Sequence, residues 1–300
     1  MKIAITNVHL DLGAGRRGTD MGPSAIHVAG LVPKIKGLGH SISSIYSIGS
    51  PAYEALDIEN KHSRFLSPIF KTCEKLHQRV YKNVSNGAFP LVLGGDHSQA
   101  IGTISGISKH YKQKKQDIGV IWIDAHTDMN TPSTSPTGNI HGMPLSCLLG
   151  HGHERLLELN GEEAALKPEN VAIIGVRDVD MSEIPLVKEL GVRVYTMTEI
   201  DRRGAFNCFY EAIERVSKNT VGVHLSFDLD GVDPIHAPGV GTPVPGGLNF
   251  RESHLICEML TSRLIGMEMV ELNPTLDVQN KTGQLAVWLI LSALGKRIIG

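Results

Sequence analysis

Seven short apolar runs recur along this chain, and most stop abruptly in acids. They are "KIAITNV" (2–8), "FPLVLGGDH" (89–97), "IGVIWIDAH" (118–126), "NVAIIGVRDVD" (170–180), "VRVYTM" (192–197), "GVHLSFDLDGVD" (222–233) and "LIGMEMVELNP" (264–274). Amphipathic stretches lie between them, among them "SPIFKTCEKLHQRVYKNVSN" (67–86) and "GAFNCFYEAIERVSKN" (204–219). A strand apolar on nearly every residue must be covered on both faces. Alternation of such strands with helices therefore predicts an α/β fold with a mostly parallel sheet. No linker, low-complexity tract or internal repeat interrupts the pattern, so 1–300 is read as a single domain. The Pro/Gly-rich piece "DPIHAPGVGTPVPGGLNF" (233–250) follows a strand directly and reads as a structured loop at the sheet edge.

The strand ends carry the functional signal. Asp96-His97, Asp124-His126-Asp128, Asp178-Asp180, Asp228-Asp230 and Glu271 each follow an apolar run. Ligands of an open parallel sheet bind outside the carboxyl ends of its strands, so five strands would deliver acids and imidazoles to one rim. In extended chain, residues two apart share a face. On that basis Asp124, His126 and Asp128 are expected to point together, as are Asp228 and Asp230. His97 would join them past Gly94-Gly95, where the backbone can approach closely.

Buried charge is costly unless it is paired or coordinates a cation. Four carboxylates and two imidazoles, with no thiolate, favour an oxygen-loving divalent ion such as Mn²⁺ over structural zinc. Six ligands exceed what one catalytic ion takes while keeping an open position. Two ions sharing carboxylates, roughly 3.5–4 Å apart, accommodate them. Four negative charges balance two divalent ions, and a bridging hydroxide leaves the cluster near −1, suited to a cationic substrate.

Composition narrows the alternatives. With 41% hydrophobic and 20% charged residues and a net charge of −2, nothing points to nucleic acid or an acidic membrane surface. No stretch of 18 apolar residues occurs, and the start is too short in apolar residues for a signal peptide, so no membrane contact is expected. The basic segment "KHYKQKKQD" (109–117) reads as a solvated helix end. Cys73, Cys147, Cys208 and Cys257 lack CxxC spacing and are expected to be free, buried and in a reducing cytoplasm. His151 and His153 of "GHGHERL" have no partnering acids and are expected to be solvent-exposed. His40, His62, His110, His224, His236 and His254 carry no comparable context.

"GGDHS", "DAHTDMNTP", "GNIHGMPL" and "SFDLDGVDPIHAPGVGTPVPGG" together resemble the ureohydrolases, and the arginase branch in particular. The likeness runs from "RRGTDMGPSAI" (16–26) to "MVELNP" (269–274). It implies a three-layer α/β/α sandwich around a mostly parallel eight-stranded sheet and two Mn²⁺ ions per subunit. By the resemblance, His97, Asp124, Asp128 and Asp228 hold one ion, while Asp124, His126, Asp228 and Asp230 hold the other. The implied reaction is hydrolysis of L-arginine to L-ornithine and urea by a metal-bridging hydroxide. Asp128 would accept a proton or hold the tetrahedral carbon, His141 would shuttle protons, and Glu271 would orient the guanidinium. Asn130, Ser135, Thr137 and Asn139 are implied for the substrate carboxylate, Asp180 for its amino group with Asp178 as a weaker choice, and Thr242 for the guanidinium end. Two positions depart from the family pattern: Thr137 stands where serine is usual, and His27 where arginine is frequent.

The resemblance also implies a cytoplasmic homo-oligomer, a trimer or hexamer. Within the family the competing reading is agmatinase or another guanidino-substrate ureohydrolase. The "NTPSTSPTGNIHG" loop and "RDVD" favour the amino-acid substrate. A deacetylase-like amidohydrolase typically keeps fewer metal ligands. A non-catalytic binding protein would have no need of His141 and Glu271.

Overall fold

The computed structural model describes residues 1–58 and 60–299. Its eight strands are β1 (Lys2–His9), β2 (Ser41–Gly49), β3 (Phe89–Leu93), β4 (Asp117–Ile123), β5 (Val171–Val176), β6 (Arg193–Thr196), β7 (Thr220–Asp228) and β8 (Leu264–Val270). They form one sheet in the order β2-β1-β3-β8-β7-β4-β5-β6, and every pairing within it is parallel. Eleven α-helices cover it among the described residues, which is the expected α/β arrangement.

Alternation along the strands builds two cores, one on each face of the sheet. On β4, Ile121 and Ile123 enter one core, while Val120 and Trp122 enter the other. On β5, Ala172 and Ile174 oppose Val171 and Ile173 in the same way. All of these side chains are fully buried. Each large one contributes about 1.5–3 kcal/mol of hydrophobic stabilisation, which explains why the sequence alternates so little in polarity.

The helix Leu66–Ser85 follows from apolar spacing: Ile69, Cys73, Leu76, Val80 and Val84 recur every three or four residues and are all buried. It packs against the helix Ala100–Lys112 across two glycines. A Cβ on Gly102 would sit 2.4 Å from Cys73 O, and one on Gly106 would sit 2.6 Å from His77 O. Small residues four apart let the two backbones approach.

The sequence reading missed one strand and overran others. β2, "SISSIYSIG", is an edge strand whose residues are mostly exposed or half-buried. It therefore has no apolar run for a pattern to detect. The acids after β3, β4, β5 and β8 lie past the strand ends, because the chain turns as soon as the apolar run stops. The segment 233–250 is a structured loop, tied by bridges from Val232 to Leu248 and from Val240 to Leu272. It delivers the chain to the helix Phe250–Leu260, which opens with an Asn249/Glu252 capping box.

The basic segment closes the helix Ala100–Lys112, with Lys114, Lys115 and Gln116 exposed. All four cysteines are free and buried. His151 and His153 are half-buried rather than exposed. His153 Nδ1 accepts the backbone N–H of Arg155 at 3.3 Å, capping the helix Glu154–Leu157. Among the described residues, no helix is long and apolar enough to cross a membrane.

Candidate metal centre and active site

The four strands β3, β8, β7 and β4 are neighbours in space, although the pairings of β3 with β8 and of β7 with β4 join distant parts of the sequence. Their carboxyl ends deliver His97, Glu271, Asp228 and Asp124 side by side. Strand alternation is not what gathers the acids, contrary to the sequence expectation. Beyond β4, the Asp124 carboxylate Oδ1 accepts the backbone N–H of His126 at 2.7 Å. Beyond β7, Asp228 Oδ1 accepts that of Asp230 at 2.7 Å. The same side-chain turn is used twice, and it brings residues i and i+2 to one centre in a bent chain.

Backbone strain completes the arrangement. Asp128 has φ 53° and Glu271 φ 64°, left-handed conformations that cost about 1–3 kcal/mol each for such residues. Both are held by neighbours. The Asp128 carbonyl accepts from Leu145 N at 3.1 Å, and Glu271 N donates to Gly95 O at 2.9 Å. The close approach at Gly95 was expected, and it is extreme: a Cβ there would lie 1.8 Å from Leu10 O.

His97 Nδ1 is buried and makes no hydrogen bond of good geometry. Yet Asp124 Oδ2, Asp128 Oδ2 and Asp228 Oδ2 stand 3.1, 3.0 and 3.1 Å from it. Adjacent ligand atoms of an octahedral ion bound at about 2.1 Å lie about 3.0 Å apart, so these spacings fit a coordinated divalent cation. A second group, Asp124, His126 and Asp230, has His126 Nδ1 at 3.3 Å from both Asp124 Oδ1 and Asp230 Oδ2. Two clusters that could hold metal thus share Asp124. The donors are imidazole nitrogens and carboxylate oxygens, as hard divalent ions require.

Electrostatics point the same way. Burial pushes Asp128 up to about 7, and the neighbouring Asp124 charge adds to it. Asp228 is driven well above its ordinary range by burial and by the Asp230 and Asp124 charges. With no cation between them, burial would lower the His97 imidazole, but the close Asp124, Asp128 and Asp228 carboxylates carry it well above its ordinary value. Two divalent cations would offset this mutual repulsion directly.

Behind His97 lies a relay that sequence reasoning did not find. Ser226 Oγ donates to Glu268 Oε1 at 2.9 Å, and its one proton is thereby used. Toward His97 Nε2, 2.9 Å away, the hydroxyl can only accept. Nε2 therefore carries the proton, and Nδ1 offers its lone pair to the cluster. Burial would raise the Glu268 carboxyl, but the hydrogen bond and charge of the fully buried His224 hold it below its ordinary value. Trp122 stacks on the His97 ring at 4.1 Å and donates to Asp124 Oδ2 at 3.0 Å. The only sequence signal was polar residues on β7 and β8 facing inward.

A cavity of about 640 Å³ opens above this cluster. Every residue expected at the site lines it, except His97 and Asp124, which lie beneath its floor. Glu271 Oε1 accepts both His97 N at 2.8 Å and His141 Nδ1 at 3.2 Å, so two side chains given separate roles are in contact. Burial would lower His141, but the hydrogen bond and charge of Glu271 raise it to about 9. Thr242 Oγ1 donates to Asp230 Oδ2 at 2.8 Å. It thus steadies a cluster carboxylate as well as lining the cavity.

The loop after β4 forms the outer wall. Asn130 Nδ2 donates to Asp180 Oδ2 at 2.8 Å. Thr137 Oγ1 accepts Asn139 N at 3.2 Å, so the threonine supplies the oxygen a serine would. Asp178 is largely exposed and lies 4.0 Å from His126 Nε2. Glu183, unforeseen and buried, accepts Met129 N at 3.1 Å and Asp180 N at 3.0 Å, tying this wall together. Arg177, also unforeseen, donates to the carbonyls of Asp230 at 2.7 Å and Val244 at 2.6 Å and pins the 233–250 loop. His27 bonds Asn7 Oδ1 at 3.0 Å, away from the cavity.

A family profile described as "Arginase family" matches residues 1–295. The chain belongs to the arginase family. It is 49% identical over 299 residues to the arginase of Brevibacillus brevis, covering 99% of each chain. It is 48% identical over 299 residues to that of Bacillus subtilis, again covering 99% of each. The native structure of the arginase from Bacillus caldovelox superposes with a TM-score of 0.95 at 47% identity, over 99% of both chains. Arginase-family membership makes the chain a hydrolase of a metal-dependent family, and the paired His/Asp clusters suit that chemistry.

Proposed function

We propose that this chain, as one arginase-type unit over 1–300, hydrolyses L-arginine to L-ornithine and urea with two Mn²⁺ ions per subunit. The observation that carries the reading is the pair of Asp/His clusters sharing Asp124, set beneath a cavity of matching charge in an arginase-family chain. His97, Asp124, Asp128 and Asp228 would hold one ion, and Asp124, His126, Asp228 and Asp230 the other. When bound, the ions acidify water to give the hydroxide nucleophile at neutral pH.

The protein's own groups do the rest. Glu271 Oε1 is engaged by His97 N and His141, which leaves Oε2 to receive two N–H groups of the planar guanidinium. Asp128, at the cavity floor, accepts the proton released as the nucleophile attacks the guanidinium carbon. His141 is partly exposed, with 19% of its side chain accessible, and its raised pKa keeps a proton on it at neutral pH. It can protonate the departing amine and be recharged from solvent. Asp180, fixed by Asn130, faces the position of the substrate amino group, while Ser135, Thr137 and Asn139 face its carboxylate. The same reading expects a homo-oligomer, trimer or hexamer, which sedimentation equilibrium would measure.

Mn²⁺-loaded protein should release urea from L-arginine far faster than from agmatine, which lacks the carboxylate. Equal rates, or faster agmatine turnover, would sink the assignment and favour agmatinase.

A further inference from the structure

The cavity is lined by seven carboxylate side chains and a single guanidinium, that of Arg16. A zwitterionic substrate brings a carboxylate into that field. Even with the acids of the cluster neutralised by metal, Asp178, Asp180 and Glu183 remain on the wall to repel it. The other groups facing that end are neutral. Asn130 has its amide nitrogen committed to Asp180 and its oxygen to Thr134 Oγ1 at 2.9 Å. Asn139 Oδ1 accepts from Arg64 Nη1 at 3.3 Å, which turns its Nδ2 toward Gly15: a Cβ on Gly15 would lie 3.1 Å from that nitrogen.

Arg16 is exposed at the rim and, among the described residues, makes no hydrogen bond or ion pair. Its backbone, in contrast, is firmly held. Gly13 N donates to Asp96 Oδ2 at 2.8 Å, and His141 N donates to Gly13 O at 3.2 Å. Gly18 N donates to Asp11 Oδ2 at 3.1 Å, and Asn273 Nδ2 donates to Arg17 O at 2.8 Å. The adjacent Arg17 is consumed by Asp11 at 2.6 Å and Glu54 at 2.5 Å. A fixed backbone thus presents one unpaired guanidinium to a cavity that a free Asn139 amide N–H₂ also lines.

We propose that Arg16 determines specificity for an α-carboxylate: its guanidinium, with Asn139 Nδ2, forms the cationic side of the subsite that admits an amino acid and disfavours the bare amine. This rests on the arginine-hydrolysis reading above. A planar guanidinium suits a carboxylate through paired charge-assisted hydrogen bonds, and its positive charge offsets the surrounding acids, which the neutral donors Ser135, Thr137 and Asn139 cannot do.

The test uses full-length Mn²⁺-loaded protein, wild type against R16Q, R16K and R16E, with L-arginine and agmatine as substrates. L-Ornithine and putrescine serve as competing ligands measured by calorimetry. The wild type is read first: preference for agmatine would overturn the arginine reading and this inference with it. With wild-type preference for L-arginine established, R16Q should raise its KM about tenfold, the size expected for one charge-assisted contact, with kcat moving less. The KM for agmatine should stay constant or fall. L-Ornithine affinity should drop in parallel while putrescine affinity does not. R16K should restore much of the loss, and R16E should deepen it. If KM for both substrates shifts together, or neither shifts, Arg16 has no role in carboxylate selection while the arginine assignment stands.

Discussion

His97 shows how much one residue depends on its surroundings. Its Nδ1 faces three carboxylates, its ring lies on Trp122, and its Nε2 is paired with Ser226. A neutral imidazole has two tautomers, and only one can ligate through Nδ1. The Ser226–Glu268 pair selects that one from behind. Removing the hydroxyl in Ser226→Ala should therefore weaken Mn²⁺ binding by about 10–100-fold, read as the rate of metal loss to a chelator. The fold should persist, because only one small polar atom is lost. Metal retention equal to wild type would dismiss the relay. Asp96 and His97 were both visible in the sequence as "GGDHS", but nothing local to that motif specifies a partner on a strand about 130 residues away.

At the scale of elements, the helices Leu66–Ser85 and Ala100–Lys112 illustrate a contact set by what is missing. Gly102 and Gly106 look like helix weaknesses, since alanine is better in a helix interior by about 1 kcal/mol. The packing reverses that preference. A Cβ on Gly102 would meet the backbone carbonyl of Cys73 at 2.4 Å, and a carbonyl cannot swing aside as a side chain can. Overpacking costs about 1–3 kcal/mol, so after the helix-propensity gain of about 1 kcal/mol Gly102→Ala should destabilise the protein by up to about 2 kcal/mol net in urea unfolding. A stabilised variant would show that the helices separate easily. The helix Ala100–Lys112 begins one turn after His97, so its displacement would also disturb metal binding.

For the whole molecule, four carboxylates at the ends of adjacent strands make the metal-free state electrostatically unfavourable. The unfolded chain does not assemble this cluster, so a metal ion held by it would bind the folded state selectively. At a hundredfold excess over the dissociation constant, each site would stabilise by about 2.7 kcal/mol. Two sites correspond to a melting temperature higher by on the order of 10 °C for a chain of this size. Scanning calorimetry of Mn²⁺-loaded and EDTA-treated protein measures this directly. An unchanged melting temperature would argue against a resident ion in this cluster.

Much of this was legible in the sequence because it is local. A strand buried on both faces must be apolar throughout, so the interior strands could be read from their apolar runs; of the two edge strands, β6 kept a short run while β2 escaped because nothing forces its residues to be apolar. The candidate metal-binding residues were legible too, since an acid placed directly after a buried strand needs a reason. What only the tertiary structure decided is adjacency. Strand order β3-β8-β7-β4-β5 sets β3 against β8 and β7 against β4 across long stretches of chain, and with the loops beyond the strand ends it creates the His97–Ser226–Glu268 relay, the Glu271–His141 contact and the Glu183 and Arg177 ties. Even the device that gathers the acids, a turn closed by Asp124 and again by Asp228, arises where the strand ends. Pairwise interactions across a sheet leave no periodicity in the chain that makes them, because each side chain is chosen by a neighbour in space.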